Sequence, residues 1–225
     1  TYSVAVATQP VGESCSVFGG SGTIGNTAVT VDVGCTQTGY MIGGSLTNYS
    51  GSGLTLALSG SATESKTITA GRTGYYFDTS LNHGNTYSIA ITAQPTSPWQ
   101  SCSVTQKASG TIAESSGSVT DANISCTTNK YNLSAAAGNI SGLAMPGLVL
   151  AVNGTNFPVA AGSTSASLGS WDSGTSYTVS VATQPDYQTC TVSSGTGTVA
   201  NADITNVAVT CSYNPFPVSG TVSGL

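Results

Sequence analysis

The chain has 225 residues and a mass of 22.3 kDa, but only 6% of its residues are charged, with four Lys or Arg, nine Asp or Glu and a formal net charge of −5. So few cations give no electrostatic footprint for phosphate backbones or for docking on anionic lipid, which excludes nucleic acid as a partner. No apolar run approaches the roughly 18 residues of a membrane-spanning helix, so membrane insertion is not expected.

Residues 1–10 alternate apolar and hydroxyl side chains, with Tyr2, Val4 and Val6 on one parity, the mark of a half-buried strand. Gln9-Pro10 closes it, because Pro lacks a ladder donor and the Gln amide can satisfy backbone groups at the corner. Cys15 and Val17 open a second strand, a Gly22-Thr23-Ile24 triplet follows, and Val31, Val33 and Cys35 share one face of a last strand. The same succession returns as Tyr87, Ile89, Ile91, Gln94-Pro95, Cys102, Val104, Gly110-Thr111-Ile112 and Cys126. It returns again as Tyr177, Val179, Val181, Gln184-Pro185, Cys190, Val192, Gly197-Thr198-Val199, Val207, Val209 and Cys211. Between the copies lie two further matching runs, 53–60 and 147–154, each bounded by Gly.

The period is about 88 residues, which suits a sandwich with its own core rather than a solenoid coil. Cutting after each second Cys predicts a partial unit at 1–36, whole units at 37–127 and 128–212, and a stub at 213–225. The units can also be phased from Thr1, and either phase leaves the final copy incomplete. With no initiator Met and no signal-peptide pattern, the chain is expected to be part of something longer. Val, Ile, Thr and Tyr alternation broken by Gly, Asn and Ser-Gly turns predicts six or seven antiparallel strands per unit, with no helix of note.

The six Cys form three pairs about 20–24 residues apart, all on inward-facing parity. Zinc would need CxxC-like pairs or nearby His, and redox catalysis would need CxxC; the single His, His83, lies far from every Cys in sequence. The expected pairing is Cys15–Cys35, Cys102–Cys126 and Cys190–Cys211, one bridge per unit, in a compartment outside the reducing cytosol. Metal ligands and cofactors are not expected.

The other motifs resolve into structure. Gly20, Gly22 and Gly25 match GxGxxG but sit between two strands rather than opening a helix. No Ser is flanked by Gly at both −2 and +2, and His83 has no counterpart in the third copy. The carboxylates, including Asp172, Asp186 and Asp203, are scattered singly, so no catalytic residue is proposed. Lys66, Lys107 and Lys130, candidates for isopeptide staples, do not recur between copies. Gln100 and Gln188 precede Cys102 and Cys190 by two positions, with Glu13 at the matching place. A Cys–Gln thioester would conflict with the pairing of the Cys. Trp99 and Tyr187, after Gln-Pro, are candidate glycan contacts, although Gly12 holds that place in the first copy. The sequons at Asn48, Asn123, Asn132, Asn139 and Asn153 are as many as a chain rich in Ser and Thr yields by chance.

The units Tyr-x-Val-x-Val-x-x-Gln-Pro, Gln-x-Cys-x-Val, Gly-x-Gly-x-Val and Val-x-Val-x-Cys resemble the tandem immunoglobulin-like repeats of large secreted proteobacterial surface proteins. The stub 218–225 also resembles the opening of the next such repeat. The resemblance spans the whole chain and implies a bacterial extracellular setting, with a role in a stalk, an adhesin shaft or a matrix. The expectation is therefore an all-β tandem array forming an extracellular or cell-surface rod or filament, with itself as partner. The alternative is an adhesin module binding glycans or a host receptor through loop aromatics. Phe216, Val218, Val222 and Leu225 are candidates for a strand donated to a neighbouring molecule. A cut from a longer array would account for the stub equally well.

Overall fold

A computed structural model of the chain describes residues 1–10, 13–37, 39–113 and 117–223. Leu225, named above as a strand donor, lies outside them. Among the described residues there is no helix, only strands, turns and bends. The chain folds as two compact units, Thr1–Thr96 with Gln100–Thr127, and Ser97–Trp99 with Thr128–Leu225.

The first unit begins with β1 (Tyr2–Ser3), β2 (Glu13–Phe18), β3 (Ser21–Gly22) and β4 (Asp32–Gln37). These form two antiparallel pairs, β1 with β3 and β2 with β4. There follow β5 (Gly43–Thr47), β6 (Thr55–Gly60), β7 (Glu64–Thr67), β8 (Gly74–Tyr76), β9 (Thr86–Ala93), β10 (Gln100–Val104), β11 (Ser109–Thr111) and β12 (Ile124–Thr128). They make a sandwich of two four-stranded sheets, in the orders β10-β12-β5-β8 and β11-β9-β6-β7. Ile42, Leu46, Leu54, Leu56, Leu58, Phe77, Leu81, Ile89, Ile112 and Ile124 fill its core.

The second unit repeats the plan with β13 (Lys130–Ala135), β14 (Ile140–Ser141), β15 (Val149–Val152), β16 (Thr155–Pro158), β17 (Ala166–Asp172), β18 (Ser176–Thr183), β19 (Gln188–Ser193), β20 (Thr196–Thr198) and β21 (Ala208–Tyr213). One face is the sheet β16-β15-β18-β20, and the other is built from β14-β21-β19 with the pair β13-β17. Leu133, Ile140, Leu148, Leu150, Val152, Leu168, Val179, Val207 and Val209 are its core. Both units are immunoglobulin-like β-sandwiches: two face-packed sheets whose inward residues alternate with outward polar ones.

Strand count and strand direction both differ from the expected six or seven antiparallel strands, with eight strands (β5–β12) in the first sandwich and nine (β13–β21) in the second unit. The sandwich of 37–127 has eight strands, and its first and last pair in parallel, with Leu46 opposite Ile124. Ile140 stands opposite Val209 in the same way. Period-two alternation reports which face a side chain takes but not the direction of the strand beside it. Parallel pairing needs a long connection, and here nearly the whole repeat supplies it.

Close approach of these two strands depends on glycine. A Cβ on Gly44 would lie 2.2 Å from the Ala122 carbonyl oxygen, and one on Gly142, at φ +73°, would lie 2.2 Å from that of Cys211. A second glycine requirement explains the Gly-Thr-Ile/Val triplets. Gly110 stands opposite Tyr87 and Gly197 opposite Tyr177, and a Cβ on either glycine would lie 3.0 or 2.8 Å from the tyrosine hydroxyl and 3.1 or 3.0 Å from the ring.

Three tyrosines of the first sandwich, Tyr49, Tyr75 and Tyr87, are buried, and two of them bond their hydroxyls internally. Tyr75 donates to the Ala122 carbonyl at 2.7 Å and Tyr49 to that of Ile68 at 2.8 Å. Burial raises the pKa of Tyr75 strongly, with a smaller contribution from Tyr87, and burial also raises those of Tyr49 and Tyr87. A folded pKa above the unfolded value of about 10 stabilises fully below that pH and is lost as pH climbs through the folded value. Thermal melts across the alkaline range should therefore show the 37–127 sandwich losing stability above about pH 10. Tyr75→Phe should flatten that decline while lowering stability at neutral pH through the lost hydrogen bond. An unchanged alkaline slope in the variant would remove Tyr75 as its source.

Candidate functional site

The recurrent chemistry of the chain is concentrated around the first Cys of each copy. Cys15 is bonded to Cys35, Cys102 to Cys126 and Cys190 to Cys211, at sequence separations of 20, 24 and 21. Each bridge joins adjacent strands of one sheet at directly opposed positions, as the Cys15↔Cys35 and Cys190↔Cys211 registers show. In 37–127 the first of these strands, β10, is a sheet edge, and β19 is the edge in the second unit. An edge strand presents backbone N–H and C=O groups that nothing in the sheet can satisfy.

The glutamine of each Gln-Pro pair satisfies them. Gln94 Nε2 donates to the Cys102 carbonyl at 3.0 Å, and the Cys102 N–H donates to Gln94 Oε1 at 2.7 Å. Gln184 does the same for Cys190 at 3.1 and 2.7 Å, and Gln9 for Cys15 at 3.0 and 2.7 Å. A primary amide carries one donor and one acceptor side by side, which is the arrangement of a peptide group on a neighbouring strand. The side chain thus acts as one residue of a missing strand, while the following Pro ends β9 or β18 without presenting a donor.

A second glutamine works inward. Gln100 and Gln188 are almost completely buried. Gln188 Oε1 accepts from the Ala144 and Met145 N–H groups, both at 2.9 Å, and its Nε2 donates to the Gly142 carbonyl at 2.7 Å. Gln100 binds Ser50, Gly51 and Asn48 in the same pattern. Each therefore ties the edge strand to the turn after the strand that runs parallel to the last one, β5 in the first sandwich and β14 in the second unit. Sequence reasoning noted these positions without assigning them this role. Their fixed offset from the Cys was the available signal.

The remaining candidates are dispersed. Glu13, Cys15 and Cys35 bring one carboxylate and two sulfurs within 4.8 Å, but both sulfurs belong to the disulfide and offer no thiolate. His83 is exposed in a turn. Lys66 pairs with Asp78 and Lys130 with Asp172, each at 2.8 Å. The amide nitrogens of Asn123, Asn132, Asn139 and Asn153 donate to Gln106, Asp203, Thr205 and Ser176. Trp99 is half-buried, and its backbone bonds Ser173 Oγ and the Asn129 N–H. Tyr187 is exposed, with Phe216 resting on it at 5.7 Å between ring centres. The two aromatics differ in exposure and in partners, so they do not form an equivalent platform.

No family model matches the chain, and no curated protein matches it. Among solved structures, it is similar to the major pilin protein (T-13) of Streptococcus pyogenes, with 9% identity and a TM-score of 0.29, over 76% of this chain and 94% of that one.

The amide clamp yields a specific test. Gln94→Ala should cost about 1 kcal/mol, because both groups of Cys102 lose their partner at a partly hydrated edge. Gln94→Glu should cost more at neutral pH, where a carboxylate oxygen faces the Cys102 carbonyl. It should recover towards wild type as pH falls below about 4, where protonation restores an O–H donor. Chemical denaturation of both variants at two pH values measures this, and a Glu variant without acid recovery would show that the donor half of the clamp contributes nothing.

Proposed function

We propose that the chain is a structural segment of an extracellular rod or filament, a shaft or matrix fibre assembled from serial immunoglobulin-like units. The observation that carries this reading is the recurrence of one clamp in all three copies, a Gln-Pro amide on the backbone of a Cys and a disulfide on its sulfur. What recurs is the part that holds a small sandwich together. The side chains that differ between copies, His83, Trp99 and Lys66 among them, are the ones that catalysis or ligand binding would use. Length and spacing require many copies of one scaffold, whereas catalysis requires one site. The three disulfides support the extracellular part of this reading, because such bonds persist in an oxidising compartment. Weakly charged strands coated with Ser and Thr suit a surface that is inert or associates laterally through hydrogen bonds.

Each bridge closes a loop of about 20–25 residues and is worth about 3 kcal/mol by chain entropy, a large share of the stability of a sandwich of this size. Electron microscopy of the native material should show fibres, and reduction should lower their melting temperature and make them sensitive to protease. Native material that is dispersed and monomeric would overturn the proposal.

A further inference from the structure

Two depressions of the same plan open on the two sandwiches. The lining of the one in the second unit includes Tyr177, Thr198, Asn201, Asp203, Thr205 and Asn206, and its volume is about 330 Å³. Its counterpart in 37–127, of about 470 Å³, is lined by Tyr87, Lys107, Thr111, Ser118, Thr120 and Asp121 among others. Both volumes fall in the range of about 300–1,000 Å³ usual for small-molecule sites. Strand register fixes the correspondence, because Ile42 bridges Val119 and Leu133 bridges Ile204, both in parallel. Thr120 therefore matches Thr205, Ser118 matches Asp203 and Asp121 matches Asn206. Thr111 and Thr198 match through their pairing with Thr86 and Ser176.

A tyrosine forms the floor of each depression. Tyr177 is only 6% exposed and Tyr87 only 4%. The hydroxyls of Tyr49 and Tyr75 are bonded within the first sandwich, and that of Tyr2 donates to the Gly19 carbonyl at 3.1 Å. Those of Tyr87 and Tyr177 have no hydrogen-bond partner among the described residues. A phenol sealed in a core without a partner would cost stability, and every buried side-chain polar atom among the described residues is bonded. The two hydroxyls are therefore the accessible tips of side chains that are otherwise buried. Gly110 and Gly197 make the opening, since a Cβ on either would stand 3.0 or 2.8 Å from the phenol oxygen. An unused donor and acceptor thus faces a depression twice in the chain.

The walls decide what such a site can hold. Each has one phenol, two threonine hydroxyls and one carboxylate, Asp121 in the first and Asp203 in the second. Asp203 is already fixed by the backbone and side-chain amides of Asn132, at 2.7 and 3.2 Å. A carboxylate in both disfavours anions. Cations are disfavoured too, because Lys107 flanks one depression and each tyrosine ring lies against a glycine instead of offering its face. Hydroxyl and amide groups line both openings, so an apolar ligand would leave them desolvated and unpaired. A neutral molecule with several hydroxyls meets every condition, since each can donate to the carboxylate and accept from the phenol. We propose that each complete sandwich binds a neutral sugar residue of a polysaccharide in this depression, over Tyr87 in one and Tyr177 in the other. The site goes beyond the structural reading: a serial shaft repeats any site that its fold repeats. Trp99 and Tyr187 take no part in it.

Amide NMR of the 225-residue chain, titrated separately with glucose, galactose, mannose and N-acetylglucosamine, tests this. At least one sugar should give saturable shifts at Gly197 and Thr205 in the second unit and at Gly110 and Thr120 in the first. Glucuronate, a sugar ring bearing a carboxylate, should bind about tenfold more weakly than that sugar. Tyr177→Phe keeps the ring and removes the hydroxyl, so binding in the second unit should weaken about tenfold while the first unit is unaffected. Thr205→Val, a change at an exposed wall residue, should weaken the same site. Because the Tyr177 hydroxyl has no internal partner, Tyr177→Phe should melt at the wild-type temperature. A marked fall would reveal a structural bond and overturn the premise. The proposal is also overturned if none of the four sugars gives a saturable shift, if binding is indifferent to both variants, or if glucuronate binds as tightly as the neutral sugars. The fibre reading does not depend on these outcomes.

Discussion

Each repeat turns on a single residue held from two sides. The first Cys is bonded through its sulfur to the last strand, and its backbone is bonded outward to the Gln-Pro amide. Without the disulfide, a short edge strand would gain only its ladder hydrogen bonds against the entropy of ordering it. Without the amide, that strand would present an open N–H and C=O to any passing chain. The two constraints differ in kind, one covalent and one electrostatic, yet they converge on one backbone position. In the two later copies the buried glutamine two residues earlier extends the hold to the turn beyond β5 or β14. The edge, the last strand and the first strand are thus tied at one end of the sandwich, by a cluster that uses no charged group.

The same local sequence has different consequences depending on what covers it. Residues 1–36 form the Gln–Cys clamp, the disulfide and the β2–β4 ladder with the same hydrogen-bond partners as the later copies. Those features are local, spanning about two dozen residues. The burial of Val33, Ile24 and Val4 is not local. It depends on strands that in the complete copies come from the other half of the repeat. Cys35 illustrates the distinction: it is bonded to Cys15 like its counterparts, but it is exposed where Cys126 and Cys211 are buried.

The low charge of the chain follows the same logic. Its few ion pairs lie at the surface, Lys66 with Asp78 and Lys130 with Asp172, where such pairs contribute little. Among the described residues every buried side-chain polar atom has a hydrogen-bond partner. Amides, hydroxyls and the backbone carry the polar interactions, which suits a surface that neither attracts nor repels by charge.

The sequence by itself determined the all-β character and the inward parity of Tyr87, Ile89, Val179 and Val209, because alternation is a property of consecutive residues. It also placed the Gln-Pro corners and the Gly-Thr-Ile/Val triplets, whose recurrence reveals them without coordinates, although the triplets lie in the short strands β3, β11 and β20 or at their ends rather than in turns. What it could not determine was the parallel pairing of first and last strands, the part played by Gln100 and Gln188, or the exposure of Val33 and Cys35. Those are contacts between residues that most often lie about 45–90 positions apart, and nothing in the local pattern encodes which distant strand will arrive. Gly44 and Gly142 belong to the same group. As letters they are two glycines among 28, and only the approach of a carbonyl from across the sandwich makes them indispensable.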